Sequence, residues 1–242
     1  GGASELLQDP PQEQLQPLLN LYSQDQLQQA LHMAKQLLQQ FPTSVTLHNI
    51  CGAANAGLGQ FGAAIDSYRQ ALKIKPDFAE AYNNMGIALH DKGELDAAIE
   101  SYKQAIKLKP DFAEAYYNMG NILKDNGHPE AAIVSYKQAL KIKPDYAEGY
   151  NNMGMALKDK GELDAAIANF QQAIKIKPDH AIAYSNMAVC LQEKGDLKAA
   201  MDSCREALKI KPDYADAYYN LANALRDSGE LEAAIDCLKH AL

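Results

Sequence analysis

The sequence predicts an all-α solenoid of stacked antiparallel helix pairs, and three observations predict it. The stretch Asp77–Pro110, DFAEAYNNMGIALHDKGELDAAIESYKQAIKLKP, returns almost unchanged as Asp111–Pro144, Asp145–Pro178 and Asp179–Pro212. Prolines 42, 76, 110, 144, 178 and 212 stand 34 residues apart. Each period holds two runs of apolar residues at helical spacing, so each pair of helices can bury its apolar faces only against neighbouring pairs. An array of this kind offers an extended surface and no reaction centre of its own.

Each part of the unit has a mechanical reason. Pro76 cannot continue the preceding helix. Asp77 and Glu80 read as a capping box for the next one, repeated at Asp111/Glu114 and Asp145/Glu148. The box weakens at Asp213/Asp216 and fails at Asp179, where Ile182 replaces the carboxylate. The first helix places Tyr82, Met85, Ala88 and Leu89 on one face, and Gly86 on that face implies close approach of the partner helix. Gly93 is the expected left-handed C-cap. The second helix, from about Glu94, carries Leu95, Ala98, Ile99, Tyr102, Ala105 and Ile106, with acids early and lysines late to match its dipole.

Tyr82, Met85, Gly86, Leu89, Ala98, Tyr102, Ala105 and Pro110 stand at the signature positions of a known repeat, as do Tyr150, Met153, Gly154, Leu157, Ala166, Phe170, Ala173 and Pro178. Over about four fifths of its length the chain resembles the tetratricopeptide repeat family. Its units are also similar to the superhelical array of O-GlcNAc transferase-like proteins. The resemblance implies a right-handed superhelical solenoid that binds protein or peptide.

Residues 1–10 are expected to be disordered and tag-derived, since Gly1–Gly2 lacks an initiating Met. Residues 11–44 read as a degenerate capping repeat rich in Gln and Leu, in which Pro17 kinks or delays the first helix. Residues 45–78 form a transitional repeat, with His48 and Asn55 where other units have Tyr and Leu. Regular repeats follow at 79–112, 113–146, 147–180 and 181–214. Pro129 falls in a first helical turn, where it is tolerated. Residues 215–242 give a last repeat whose face of Leu231, Ala234, Ile235, Leu238 and Leu242 lacks a cap. The expectation is a truncated array, or homo-oligomerisation through that face.

Composition narrows the function. The net charge is −8, which disfavours nucleic acid, whose phosphates need a basic patch. No run of 18 apolar residues exists, so no membrane segment is expected, and the cytoplasm is the expected location. Cys51, Cys190, Cys204 and Cys237 form no CxxC pair. They read as small buried thiols, with a disulfide or metal site as the alternative. The six histidines are scattered, no phosphate-cradling glycine loop is present, and neither cofactor, metal nor enzymatic activity is expected.

The candidate site is the row of first helices, which lines the concave side of such stacks. Asn84, Asn118, Asn152, Asn186 and Asn220 form one column, five Asn in five units. Asn is a poor helix former, and its amide both donates and accepts. A ladder of amides suits the main chain of an extended peptide. The O-GlcNAc transferase array, which this column resembles, implies that role. The alternative is that each Asn braces a neighbouring helix. On propensity alone, replacing Asn118, Asn152 and Asn186 by Ala is expected to weaken binding with stability unchanged or raised.

Flanking columns vary. One reads Asn83, Tyr117, Asn151, Ser185 and Tyr219, another Ile87, Asn121, Met155, Val189 and Asn223, and a third His90, Lys124, Lys158, Gln192 and Arg226. The acids Asp91, Asp125, Asp159, Glu193 and Asp227 follow the third directly, either neutralising its cations or solubilising helix ends. The candidate contact residues are the five ladder asparagines with Asn83, Tyr117, Asn121, Asn151, Lys124, Lys158, Tyr219 and Asn223. Some members of the family clamp a chaperone's C-terminal carboxylate with lysines, and the column beside the ladder has none. Two alternatives to a peptide-binding scaffold stand. One is the substrate-docking segment of a larger glycosyltransferase or sulfotransferase, as in bacterial arrays of this appearance. The other is a self-assembling architectural array.

Overall fold

The computed structural model describes residues 9–241, which are all-α. The expectation for residues 1–8 lies outside the described residues. The chain divides into two compact units, residues 1–122 and 123–242. The first holds α1 (Gln12–Ser23), α2 (Leu27–Gln40), α3 (Val45–Gly57), α4 (Phe61–Ile74), α5 (Ala79–Asp91) and α6 (Leu95–Leu108); the division falls inside α7 (Ala113–Asp125). The second holds α8 (Pro129–Ile142), α9 (Ala147–Asp159), α10 (Leu163–Ile176), α11 (Ala181–Glu193), α12 (Leu197–Ile210), α13 (Ala215–Ser228) and α14 (Leu231–Ala241). Helices pack as antiparallel pairs, α3 with α4, α5 with α6, α9 with α10, α11 with α12 and α13 with α14.

What sets each pair is a size exchange across it. A Cβ added at Gly86 would lie 2.7 Å from Tyr102 Cε1, and one at Gly154 the same distance from Phe170 Cε1. Tyr102 and Phe170 are almost fully buried. The helix backbone therefore serves as the floor on which the ring lies. At Ala188 the small residue gains a methyl, and its partner sixteen positions on shrinks to Cys204; both are buried in one cluster. Volume is conserved while the residues change, as close packing requires. A hydroxyl or amide column completes the second helices. Ser67, Ser101, Ser135 and Ser203 donate to the carbonyl four residues back at 2.8–3.1 Å, and Asn169 does the same.

Gly93 ends α5 at φ +86°, with its N–H on His90 O at 2.8 Å and Glu94 N–H on Leu89 O at 2.9 Å. This is a Schellman motif, repeated at Gly59, Gly127, Gly161, Gly195 and Gly229. The turn between α1 and α2 keeps the geometry without the glycine. Asp25 takes φ 58° while Gln26 N–H reaches Leu21 O at 2.9 Å. A side chain in that conformation is strained. Asp25→Gly is therefore expected to stabilise the chain by about 1 kcal/mol, read as a raised urea midpoint at unchanged slope.

The capping boxes expected at Asp77/Glu80 and Asp145/Glu148 are not made. Pro76 and Asp77 form a turn, and α5 starts at Ala79 with Phe78 as its N-cap and no side-chain cap. α9 starts in the same way behind Tyr146, and α7 begins at Ala113, two residues beyond Asp111. The aspartates sit one residue too early to reach the free N–H groups. The glutamates instead take lysines from the far end of the pair: Glu80 Oε1 accepts from Lys109 Nζ at 3.1 Å, and Glu148 Oε1 from Lys177 Nζ at 3.5 Å. Lysines also lie over the rings at the N-cap positions, Lys109 at 4.7 Å from the Phe112 centroid and Lys143 at 4.5 Å from that of Tyr146. Side-chain caps do form at Ser44, which accepts from Leu47 N–H, and at Asp196, which accepts from Ala199 N–H.

Two N-terminal expectations change. Pro17 lies inside α1, which already begins at Gln12, so it delays nothing. Residues 9 and 10 are anchored: Pro10 is buried, Asp9 accepts from Ser44 Oγ, and its second oxygen accepts from Thr46 Oγ1 at 2.8 Å. Cys51, Cys190 and Cys204 are buried, and burial pushes their thiols up to about 11, 11 and 12. They are protonated and unreactive at neutral pH.

His180 stands where other units place Phe or Tyr. It is 8% exposed, and its Nε2 is buried without a partner. Burial lowers its pKa below the ordinary value, and Lys177 adds to this against the opposing pull of Glu148 and Asp179. With the folded value depressed, the unfolded chain takes the proton first. Stability is unaffected above the ordinary histidine pKa and falls as pH drops through it. His180→Tyr, which restores the residue of Tyr146 and Tyr214, is expected to flatten the decline in melting temperature between pH 7 and pH 5. Equal declines in both proteins would refute this.

Candidate functional site

Inside each unit the first helices of neighbouring pairs approach one another directly, α3 and α5 in the first, α9, α11 and α13 in the second. No comparable contact joins neighbouring second helices among the described residues. Each row of first helices is thus the tighter side of its stack, and the ladder lies at its joints. Asn118 Nδ2 donates to Asn83 Oδ1 at 3.1 Å, Asn83 Nδ2 to Asn84 Oδ1 at 3.4 Å, and Asn84 Nδ2 to Asn49 Oδ1 at 3.4 Å. In the second unit Asn186 Nδ2 donates to Asn151 Oδ1 at 3.0 Å, Asn151 Nδ2 to Asn152 Oδ1 at 3.0 Å, and Asn220 Nδ2 to Ser185 Oγ at 3.0 Å.

Asn84, Asn118, Asn186 and Asn220 brace the stack by reaching 35 positions back, and Asn152 accepts from its neighbour Asn151. Bracing uses only part of each amide. Asn118, Asn186 and Asn220 are half-buried and keep their oxygen and a second N–H. Their acceptors differ from expectation. Asn83, Asn151 and Ser185 are 7%, 6% and 1% exposed, so this column lies beneath the surface and supports the ladder from behind. Tyr219, in the same column, is 56% exposed; Tyr117, Asn121 and Asn223 are half-buried. The sequence missed the acceptor role because a buried and an exposed amide look alike in a column. Asn49, one step before Asn83, carried the signal.

The third column is neutralised. Lys124 Nζ lies 3.0 Å from Asp125, Lys158 Nζ lies 3.8 Å from Glu193, and Gln192 Nε2 donates to Asp227 at 2.6 Å. Lys158 and Gln192 each reach an acid 35 positions on, into the next pair. These charges offer no free cation cluster to an anionic partner.

In α3 the second and third groove columns shrink to Ala53 and Ala56, and the acid column that follows them shrinks to Gly57. A cavity of about 380 Å³ opens there, bordered by Tyr22, Tyr68, Asn84, Ile87 and Asp91. Elsewhere, among the described residues, no group of three or more His, Cys, Asp or Glu is placed to hold a metal ion, and no helix is long and apolar enough to cross a membrane.

Comparison with known proteins decides the family. The family described as TPR repeat matches residues 56–93, 86–127, 120–161 and 154–195, and that described as tetratricopeptide repeat matches 191–242. The chain belongs to the tetratricopeptide repeat family. Among curated proteins none matches this tetratricopeptide array. Solved structures do. It is 30% identical to the MamA protein, covering 71% of this chain and 93% of that one at a TM-score of 0.63. YrrB, titled a TPR protein with an unusual peptide-binding site, is 21% identical over 76% of this chain and 95% of its own, with a TM-score of 0.62. The C-terminal part of a TPR repeat-containing protein from Cytophaga hutchinsonii is 16% identical, covers 92% and 93%, and has a TM-score of 0.75. The last two share the fold.

Proposed function

We propose that this tetratricopeptide array is a non-catalytic binding scaffold whose row of first helices holds a protein or peptide partner in extended form. The observation that carries the reading is the half-used amide ladder. Asn118, Asn186 and Asn220 are each held at a joint by one N–H, so their remaining donor and acceptor are pre-oriented towards a main chain, and Asn84 and Asn152 continue the same column. Tyr219, Asn223, Asn121 and Tyr117 supply local side-chain contacts, with Asn83 and Asn151 acting from beneath and Lys124 and Lys158 at the neutralised edge. YrrB supports the reading as a fold relative described by its peptide-binding site. The likeness to the O-GlcNAc transferase array rests on the asparagine column, and docking substrates for a transferase domain would use the same groove chemistry.

A random peptide display library panned against the chain tests this. Enriched peptides should be lost with Asn118→Ala/Asn152→Ala/Asn186→Ala. They should also be lost with Val189→Arg, which blocks the same face and leaves the ladder bonds intact. Absence of enrichment on the native chain overturns the groove.

A second reading rests on α14. Ile235 and Leu238, with Leu231, are 54%, 40% and 59% exposed and border an apolar cavity of about 260 Å³ with Ala222 and Arg226. Their counterparts one period earlier, Met201 and Cys204, pack against Leu221 and Leu225 of α13. The α14 face is thus shaped to receive a helix of that kind, and association of copies through it is the self-assembly reading. Mass in solution that rises with concentration, and ceases to do so in Ile235→Glu, would support it.

A further inference from the structure

The cavity in the first unit is a missing rung. At the α9/α11 and α11/α13 joints the third-column side chain reaches an acid 35 positions on, Lys158 to Glu193 and Gln192 to Asp227. Counted from Asp91, that position is Ala56. The methyl group cannot reach, and the flanking columns have contracted to Ala53 and Gly57, so the space a long side chain would occupy stands open beside the carboxylate. The ionic neighbour Asp91 has is His90 on its own helix, at 3.6 Å, and its side chain is 43% exposed. Tyr22 and Ile87, 39% and 38% exposed, also line the space.

We infer that this slot takes a lysine or arginine side chain from the bound partner, its stem over Ala53, Ala56 and Ile87 and its cation on Asp91. The charge selects the occupant. An apolar side chain would strip water from the carboxylate without replacing it, which costs more than the apolar contact returns. A basic side chain has a stem for the small-residue floor and a head for the acid. The exposed Tyr22 ring adds a face that attracts cations. At about 380 Å³ the slot lies near the lower end of ligand-pocket sizes, roughly 300–1,000 Å³, which suits one long side chain. The chain itself places Lys124, Lys158 and Arg226 in this column elsewhere. The partner would therefore complete, from outside, a joint that other pairs complete internally.

The inference rests on the peptide groove proposed above, and the test separates the two. The display library is panned against the native chain, against Asp91→Asn, which removes the charge and keeps the shape, and against Ala56→Lys, which restores the rung. Peptides enriched on the native chain should carry a Lys or Arg at one fixed position. Exchanging that residue for norleucine should weaken binding about tenfold, the worth of one charge-assisted hydrogen bond. Both variants should abolish the difference, with melting curves confirming that they fold. Enrichment without a basic residue, or a basic preference that survives both variants, overturns the slot and leaves the groove standing. No enrichment at all overturns both.

Discussion

Gly154→Ala is expected to destabilise the chain by about 1–3 kcal/mol, the usual cost of an extra methyl group forced into a packed core. The new Cβ would meet Phe170 Cε1 at 2.7 Å, Cζ at 2.9 Å and Cδ1 at 3.0 Å, and the ring is fully buried with no room to retreat. Helix propensity works in the opposite direction, by roughly 1 kcal/mol in favour of Ala, and the clash outweighs it. A control separates the two effects. Gly62, in α4, has nothing within 4 Å of an added Cβ, so Gly62→Ala should be stabilising. A double variant supplies the reason. Gly154→Ala with Phe170→Cys reproduces the Ala188/Cys204 pair, and in that background the Gly154→Ala step should cost nothing. Denaturant midpoints of these three variants and of Phe170→Cys alone decide it; a Gly154→Ala chain as stable as the native one would mean that the ring does not lie on the backbone.

Asn186→Ala is expected to lower stability by about 1 kcal/mol or more. Asn151 is 6% exposed, and its Oδ1 accepts from Asn186 Nδ2 at 3.0 Å. Removing the donor strands a buried carbonyl, at about 1–3 kcal/mol. Ala returns at most about 0.7 kcal/mol of helix propensity. This reverses the expectation from propensity alone, under which alanines in the ladder leave stability level or raise it. The effect should grade with geometry. Asn84→Ala should cost less, because both of its bonds, to Asn49 Oδ1 and from Asn83 Nδ2, are 3.4 Å long and Asn49 is half-buried. A double-mutant cycle between Asn186 and Asn151 should show a coupling of the same sign. A stabilised Asn186→Ala would return the ladder to a purely ligand-facing role.

The ladder and the slot also show why sequence reading stops where it does. A column of identical asparagines identifies positions that share a place in the unit, but the hydrogen bond runs diagonally, from one column to its neighbour 35 positions away. Register along one helix does not reveal that diagonal. The rotation between consecutive pairs sets it, and the rotation comes from packing. The cap is a similar case. Asp77 and Glu80 have the right spacing for a capping box, yet the helix starts after Phe78, because the Pro76–Asp77 turn fixes where the backbone can begin to wind. The empty rung at Ala56 is visible only once Asp91 is known to point at it.

What the sequence determined by itself is local and periodic. The 34-residue spacing set the helices, the glycines set the left-handed stops, and the Gly86/Tyr102 and Gly154/Phe170 pairs set how closely two helices lie. These follow from backbone sterics and side-chain size within one unit, which are written in each residue. The tertiary structure alone decided which amides are buried, which acid meets which cation across a joint, and where a side chain is missing. Those depend on the angle between neighbouring pairs, a sum of many small packing contacts that no single residue encodes.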